Sequence, residues 1–184
     1  ANKYGIEIIP TPAGGCRLTE RENARRFWPI FKYVERPEEK YFYLANVGRQ
    51  FWAGRFWLSV GRHEQDNACL DELLRPGDLM FRLTSFPGPL ALGRNLGGEE
   101  WTPDFIAETA AMLASFSPKA VAAGCPVEVR YVRELGGGNK EETLISVVPN
   151  RETSWKDFTW EETGPEIKLR YKLVEPGRKT NEAE

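Results

Sequence analysis

The clearest pattern of apolar and polar positions lies in the second half of the chain. Val127, Val129 and Tyr131 alternate with polar neighbours, Gly136-Gly137-Gly138-Asn139 supplies a turn, and an apolar run returns over 144–148. Period two on both sides of a glycine turn predicts a β-hairpin. Just upstream, Phe105, Ile106, Thr109, Ala110 and Leu113 recur at helical spacing behind Thr102 and Pro103. A threonine cap, a proline at the first helical position and Asp104 near the positive end of the dipole predict a helix that stops around 115–117, before Pro118.

The remaining segments are shorter. Ile6–Ile9 has strand composition and is stopped by Pro10 and Pro12. Thr19 and Glu22 have the spacing of a capping box, and Ala24, Phe27, Trp28 and Phe31 follow at helical intervals, with Pro29 predicting an end near Trp28. Residues 41–61 are aromatic and β-prone, broken by Gly48 and Gly54, and predict two or three short strands. A short helix carrying Leu70, Leu73 and Leu74, capped by Asp66 or Asn67 and ended by Pro76-Gly77, leads to a strand over 79–84. Pro87-Gly88-Pro89 turns into another strand at 90–92. Ile167, Leu169, Tyr171 and Leu173 alternate once more, which predicts a last strand over 167–174, and residues 176–184 read as a disordered tail. The sum is an α+β fold: one domain with a mostly antiparallel sheet and two or three helices. Its expected division is an N-terminal extension with a short helix (1–40), the α+β domain (41–175) and the tail (176–184).

Composition narrows the function classes. A chain of 184 residues suits one domain with a real core, and 41% hydrophobic with 28% charged residues are ordinary globular values. No apolar run reaches the ~20 residues that cross a bilayer, and no leader precedes residue 20, so a cytoplasmic location without membrane attachment is expected. Cys16, Cys69 and Cys125 are odd in number and scattered, which suits isolated buried thiols better than disulfides. A net charge of -2 argues against a strongly basic, sequence-blind nucleic-acid binder, although local patches can still attract phosphate. Six tryptophans, three of them in the pairs Phe27-Trp28, Phe51-Trp52 and Phe56-Trp57, are read first as core and second as a stacking platform.

Catalytic templates find little to use. His63 is the single histidine, the cysteines lack CxxC spacing, and Gly136-Gly137-Gly138 has no following Lys-Ser/Thr, so no catalytic residue, metal site or cofactor is expected. Basic groups remain. Lys168, Arg170 and Lys172 would form a stripe on one side of the last strand, Arg130 and Arg133 fall on the hairpin, and Arg49, Arg55 and Arg62 interleave with the Phe-Trp pairs. From the pattern alone, a solvated outer face on an ordinary sheet is the favoured explanation of such stripes.

The segment from Phe56 to Val148 resembles the NFACT-R domain, a module shared by the fibronectin-binding-protein-A-like family and ribosome quality-control factors. There a strand runs into a Gly-[Arg/Lys] turn closed by Gln-Asn-Asp; here Gly61-Arg62-His63-Glu64-Gln65-Asp66-Asn67 stands in its place with the last two residues exchanged. The family's R-P-x-D-L-W-F-H is met by 75–82, its P-G-S-H by 87–90, its alanine-rich helix with an aromatic-Ser-Lys end by 107–119, and its V-x-V-x-Y strand by 127–131. Met80 replaces the family's tryptophan, and Arg82 and Leu90 replace its two histidines. The resemblance covers about half of the chain and implies association with RNA (tRNA or rRNA) or the ribosome, in translation quality control, as a stand-alone accessory without tailing activity. The residues expected to meet an RNA backbone are Arg62, Gln65, Asp66, Asn67, Arg75, Asp78, Arg82 and Lys119, with arginine forks for phosphate and amides for base or sugar. Two alternatives stay open: a protein partner held by exposed aromatic and arginine side chains, and an enzyme acting through unassigned carboxylates.

Overall fold

The computed structural model describes residues 20–97 and 99–174. Ile6–Ile9, Thr19, Cys16 and the expected tail lie outside them. The chain forms six helices and six strands among the described residues: α1 (Arg21–Tyr33), α2 (Glu39–Asn46), β1 (Arg49–Ala53), β2 (Phe56–Val60), α3 (Glu64–Glu72), β3 (Leu79–Leu83), β4 (Leu90–Asn95), α4 (Pro103–Ala114), α5 (Pro118–Ala123), β5 (Val127–Gly136), β6 (Asn139–Val147) and α6 (Trp160–Val174). The strands build one sheet in the order β1-β2-β4-β3-β5-β6, antiparallel throughout. The α+β class and the antiparallel sheet follow the expectation. Six helices stand among the described residues where two or three were expected.

Both faces of the central strands are covered, and β2 is buried at all five of its positions. Alternation sends Phe56, Leu58 and Val60 to one face, where they meet Ile106, Ala110 and Leu113 of α4. It sends Trp57 to the other, beside Phe27, Ile30, Leu44 and Leu70 of α1, α2 and α3. Trp52 and Trp57 are cross-strand partners stacked at 4.8 Å. On the opposite face Phe56 lies 4.7 Å from both Trp101 and Phe105. Five of the six tryptophans are buried and the sixth, Trp160, is half-buried, so the Phe-Trp pairs are core residues and form no exposed platform.

Three sequence expectations are corrected here. Pro29 does not end α1 at Trp28; it removes one backbone bond, but Phe27, Trp28, Pro29 and Ile30 are all buried and packing holds the helix to Tyr33. Residues 39–46 are helical and not a strand, because Leu44 and Ala45 become fully buried only when the segment turns at helical period. Residues 167–174 belong to α6, which packs along α1: Trp28 Nε1 donates to Glu166 at 2.8 Å and Lys32 pairs with the same carboxylate at 2.7 Å. A helix turns about 100° per residue, so positions 168, 170 and 172 do not share one side and the basic stripe is lost. Arg170 stacks over Trp28 at 5.7 Å. The α1 start differs too: Glu20 is the N-cap without a side-chain cap bond, and Glu22 is clamped by Arg25 and Arg26. Cys69 and Cys125 are free thiols as expected, but exposed.

Two buried polar sets lock the layers. Gln50 accepts from Trp57 Nε1 at 2.6 Å and donates to Ser59 Oγ, to Leu44 O and to Val47 O, fastening the end of α2 to the β1–β2 hairpin. Arg94 donates through Nε and Nη2 to Asp78, at 3.0 and 2.6 Å, and through Nη2 to Leu73 O at 2.7 Å, with both side chains 4% exposed. Burial pushes the Asp78 carboxyl up against the pull of Arg94 and the Arg75 amide, so the pair fixes position more than it adds net stability. Removing one partner leaves the other charge buried alone. Asp78→Ala should therefore cost about 3–5 kcal/mol in urea unfolding. A loss under about 1 kcal/mol, the range of an exposed pair, would show that the site is wet.

Candidate functional site

The β2–α3 turn is built by a close approach. A Cβ on Gly61 would stand 2.2 Å from Asn67 Oδ1, so only glycine lets that amide reach Leu90 N, to which it is bonded at 3.1 Å. His63 is the N-cap of α3: its Nδ1 accepts from Asp66 N at 3.2 Å, a role expected of Asp66 or Asn67. The freed Asp66 carboxylate turns back and accepts from Arg62 N and Arg62 Nε, each at 3.0 Å. Burial pushes the Asp66 carboxyl up, but those bonds and the Arg62 charge outweigh it and hold it below the usual carboxylate range. Asp66 thus orients Arg62 and leaves both terminal guanidinium nitrogens without a described partner.

Around this turn a cleft of about 320 Å3 opens between Arg49, Arg62, Glu64, Asn67, Pro89 and Phe116. Arg49 lies over the Phe116 ring at 5.3 Å and Arg151 at 4.0 Å. Both guanidiniums are exposed, and no carboxylate among the described residues pairs with either. Arg49 and Arg62 thus line the cleft together with Glu64, and Arg151 reaches it through its contact with the Phe116 ring. A second, larger cleft of about 530 Å3 shares Glu64 and Asn67 and runs between α3 and the β5–β6 hairpin.

The structure does not bring the eight predicted residues to one patch. Arg62, Asp66 and Asn67 meet at the turn, and Arg82 lies in the larger cleft. Gln65 is exposed on α3 outside both clefts. Lys119 is exposed on α5, beyond Ser117, whose Oγ donates to Pro87 O at 2.7 Å at the same end of the sheet. Arg75 and Asp78 sit at the other end: Arg75 pairs with Glu38 at 3.1 Å and stacks over Tyr41 at 4.9 Å, while Asp78 is consumed by Arg94. Four residue steps of extended chain carry Asp78, just before β3, to Arg82, about 13 Å away. The expectation missed Arg151, whose contact with Phe116 has no local sequence signal. Of the two other interleaved arginines, Arg55 lies over Tyr33 at 5.8 Å. Among the described residues no group of three or more His, Cys, Asp or Glu side chains could hold a metal, and no helix is long and apolar enough to cross a membrane.

No family model matches the chain, and no curated protein does. Among solved structures it is similar to the C-terminal part of the fibronectin/fibrinogen-binding protein from Streptococcus suis, at 16% identity and a TM-score of 0.45, over 72% of this chain and 58% of that one.

The Asp66 geometry has a pH consequence. Its folded pKa lies below the unfolded value, so its contribution is present above the ordinary carboxylate range and is lost as pH falls through the folded pKa. Asp66→Asn should flatten that acid limb of the stability profile and lower stability at neutral pH by about 1–3 kcal/mol, measured by urea unfolding from acid to neutral pH. An unchanged acid limb would contradict the assignment.

Proposed function

We propose that this chain is a non-catalytic binding module that holds the sugar–phosphate backbone of single-stranded RNA, and so works in association with RNA or the ribosome. The observation that carries the reading is the set of guanidiniums around Phe116 and the β2–α3 turn: Arg49 and Arg151 against the Phe116 ring, with no acidic partner among the described residues, and Arg62 held by Asp66 through Nε only. Guanidinium forks match phosphate geometry, and an aromatic ring beside them offers a face for a base. The net charge of -2 limits the footprint to this end of the sheet, so affinity should be modest and strongly salt-dependent. The resemblance of the Gly61–Asn67 turn to the NFACT-R pattern supports the same ligand class.

The test is binding of a single-stranded oligonucleotide over a salt series. Three phosphate contacts predict a log–log slope of about -2, and Arg49→Ala or Arg151→Ala should each reduce it by about 0.7. Binding that is absent at low salt, or unchanged in the double variant, would overturn the reading.

A further inference from the structure

The larger cleft is made by two periodicities that meet. Glu64, Asn67, Ala68 and Asp71 stand at i, i+3, i+4 and i+7 along α3 and form one wall. Met80, Leu90 and Val132 form an apolar floor, and Arg82, Arg130, Lys140 and Glu142 project from the same face of the strands.

Arg82 and Arg130 are directly opposed across the β3–β5 ladder. Side chains so placed are about 5 Å apart at Cβ, and like charges there repel. Compensation is incomplete. Arg130 gives one bond from Nη1 to Glu142 at 3.3 Å, while among the described residues its buried Nε and the Arg82 guanidinium have no partner. Two adjacent guanidiniums with spare donors make a carboxylate or phosphate receptor. The rest of the cleft selects between them. Glu64 and Asp71, both exposed and without an ion-pair partner among the described residues, face the same space, while Arg130 is paired with Glu142 and Lys140 with Glu134 at 4.0 Å, so the cleft carries no surplus of positive charge. A polyanion gains nothing from a balanced cleft. A ligand with one carboxylate, an apolar body and one cationic group satisfies both walls and the floor.

We propose that this cleft binds the C-terminal end of a peptide, its carboxylate on Arg82 and Arg130, its apolar side chains over Met80 and Val132, and a basic group on Glu64 and Asp71. The site adjoins the Phe116 cleft proposed for RNA and shares Glu64 and Asn67 with it, but Arg82, Arg130, Asp71 and the apolar floor belong to this cleft. A volume of about 530 Å3 lies within the range that holds a ligand of a few residues.

The experiment uses the full chain and the tetrapeptide Lys-Leu-Ala-Leu with a free carboxylate, followed by backbone amide chemical shifts. Saturable shifts confined to α3, β3, β5 and β6 are expected. Amidating the peptide's C-terminus, or introducing Arg82→Gln, should weaken binding by about tenfold or more. Asp71→Asn should weaken the lysine peptide and leave its N-acetylated norleucine analogue unchanged. Arg82 and Asp71 are exposed, so both variants should fold, which a melt verifies. Equal binding of acid and amide, shifts that map elsewhere, or no saturation by about 10 mM would overturn the proposal. Oligoadenylate is titrated separately: if it shifts the cleft residues and displaces the peptide, the cleft belongs to the RNA surface and the peptide assignment fails. RNA binding that is untouched by Arg82→Gln, alongside loss of the peptide, separates the two sites.

Discussion

Everything in this molecule depends on burying both faces of the strands in the middle of its sheet. β2 has no exposed position, and Trp57 and Leu58, which point opposite ways, are each fully buried. Burying a large apolar side chain contributes about 1.5–3 kcal/mol, and a strand covered on both sides collects that from consecutive residues. Two helical layers are required, α1 to α3 on one face and α4 with α5 on the other. That requirement explains why segments rich in β-formers became helices. The sheet already had its strands and lacked covers.

Function follows from where the covers stop. α3 lies over β4 and leaves the β5–β6 end of that face open, so Arg82, Arg130 and Glu142 stand where a core would otherwise be, and Leu144 remains 59% exposed. At the neighbouring end of the sheet, the turn that launches α3 holds Arg62 beside the Phe116 ring and its two arginines. The Gln50 and Asp78 sets sit apart from both openings and hold the layers that frame them. Rigid elements thus carry the exposed charges, which reduces the ordering cost of binding.

Much of this was legible in the chain. The Gly-turned hairpin, the Thr102-Pro103 helix start and the Gly61–Asn67 turn carry local chemistry that tertiary packing has no reason to override. The misread segments are those where composition and period disagree. Tyr41, Phe42, Leu44 and Ala45 are β-prone as types but spaced for a helix, and Leu44 and Ala45 are the residues buried. The alternation over 167–173 covers four positions; the longer helical face through Trp160, Thr163, Gly164 and Ile167 emerges only when the window reaches back past Pro165. For the site, spacing could have excluded a meeting of Asp78 and Arg82, since the strand that starts just after Asp78 runs on to Arg82. No pattern links Phe116 with Arg49 and Arg151, because sheet order and the loop after β6 bring them together.

The most direct test of the two-sided sheet is amide hydrogen exchange on the free chain. Amides of β2, β4 and β3 should exchange only through global unfolding, with the β6 end of the sheet opening at markedly lower free energy. Uniform protection across all six strands would contradict the account, since the uncovered end would then be as deeply held as the centre.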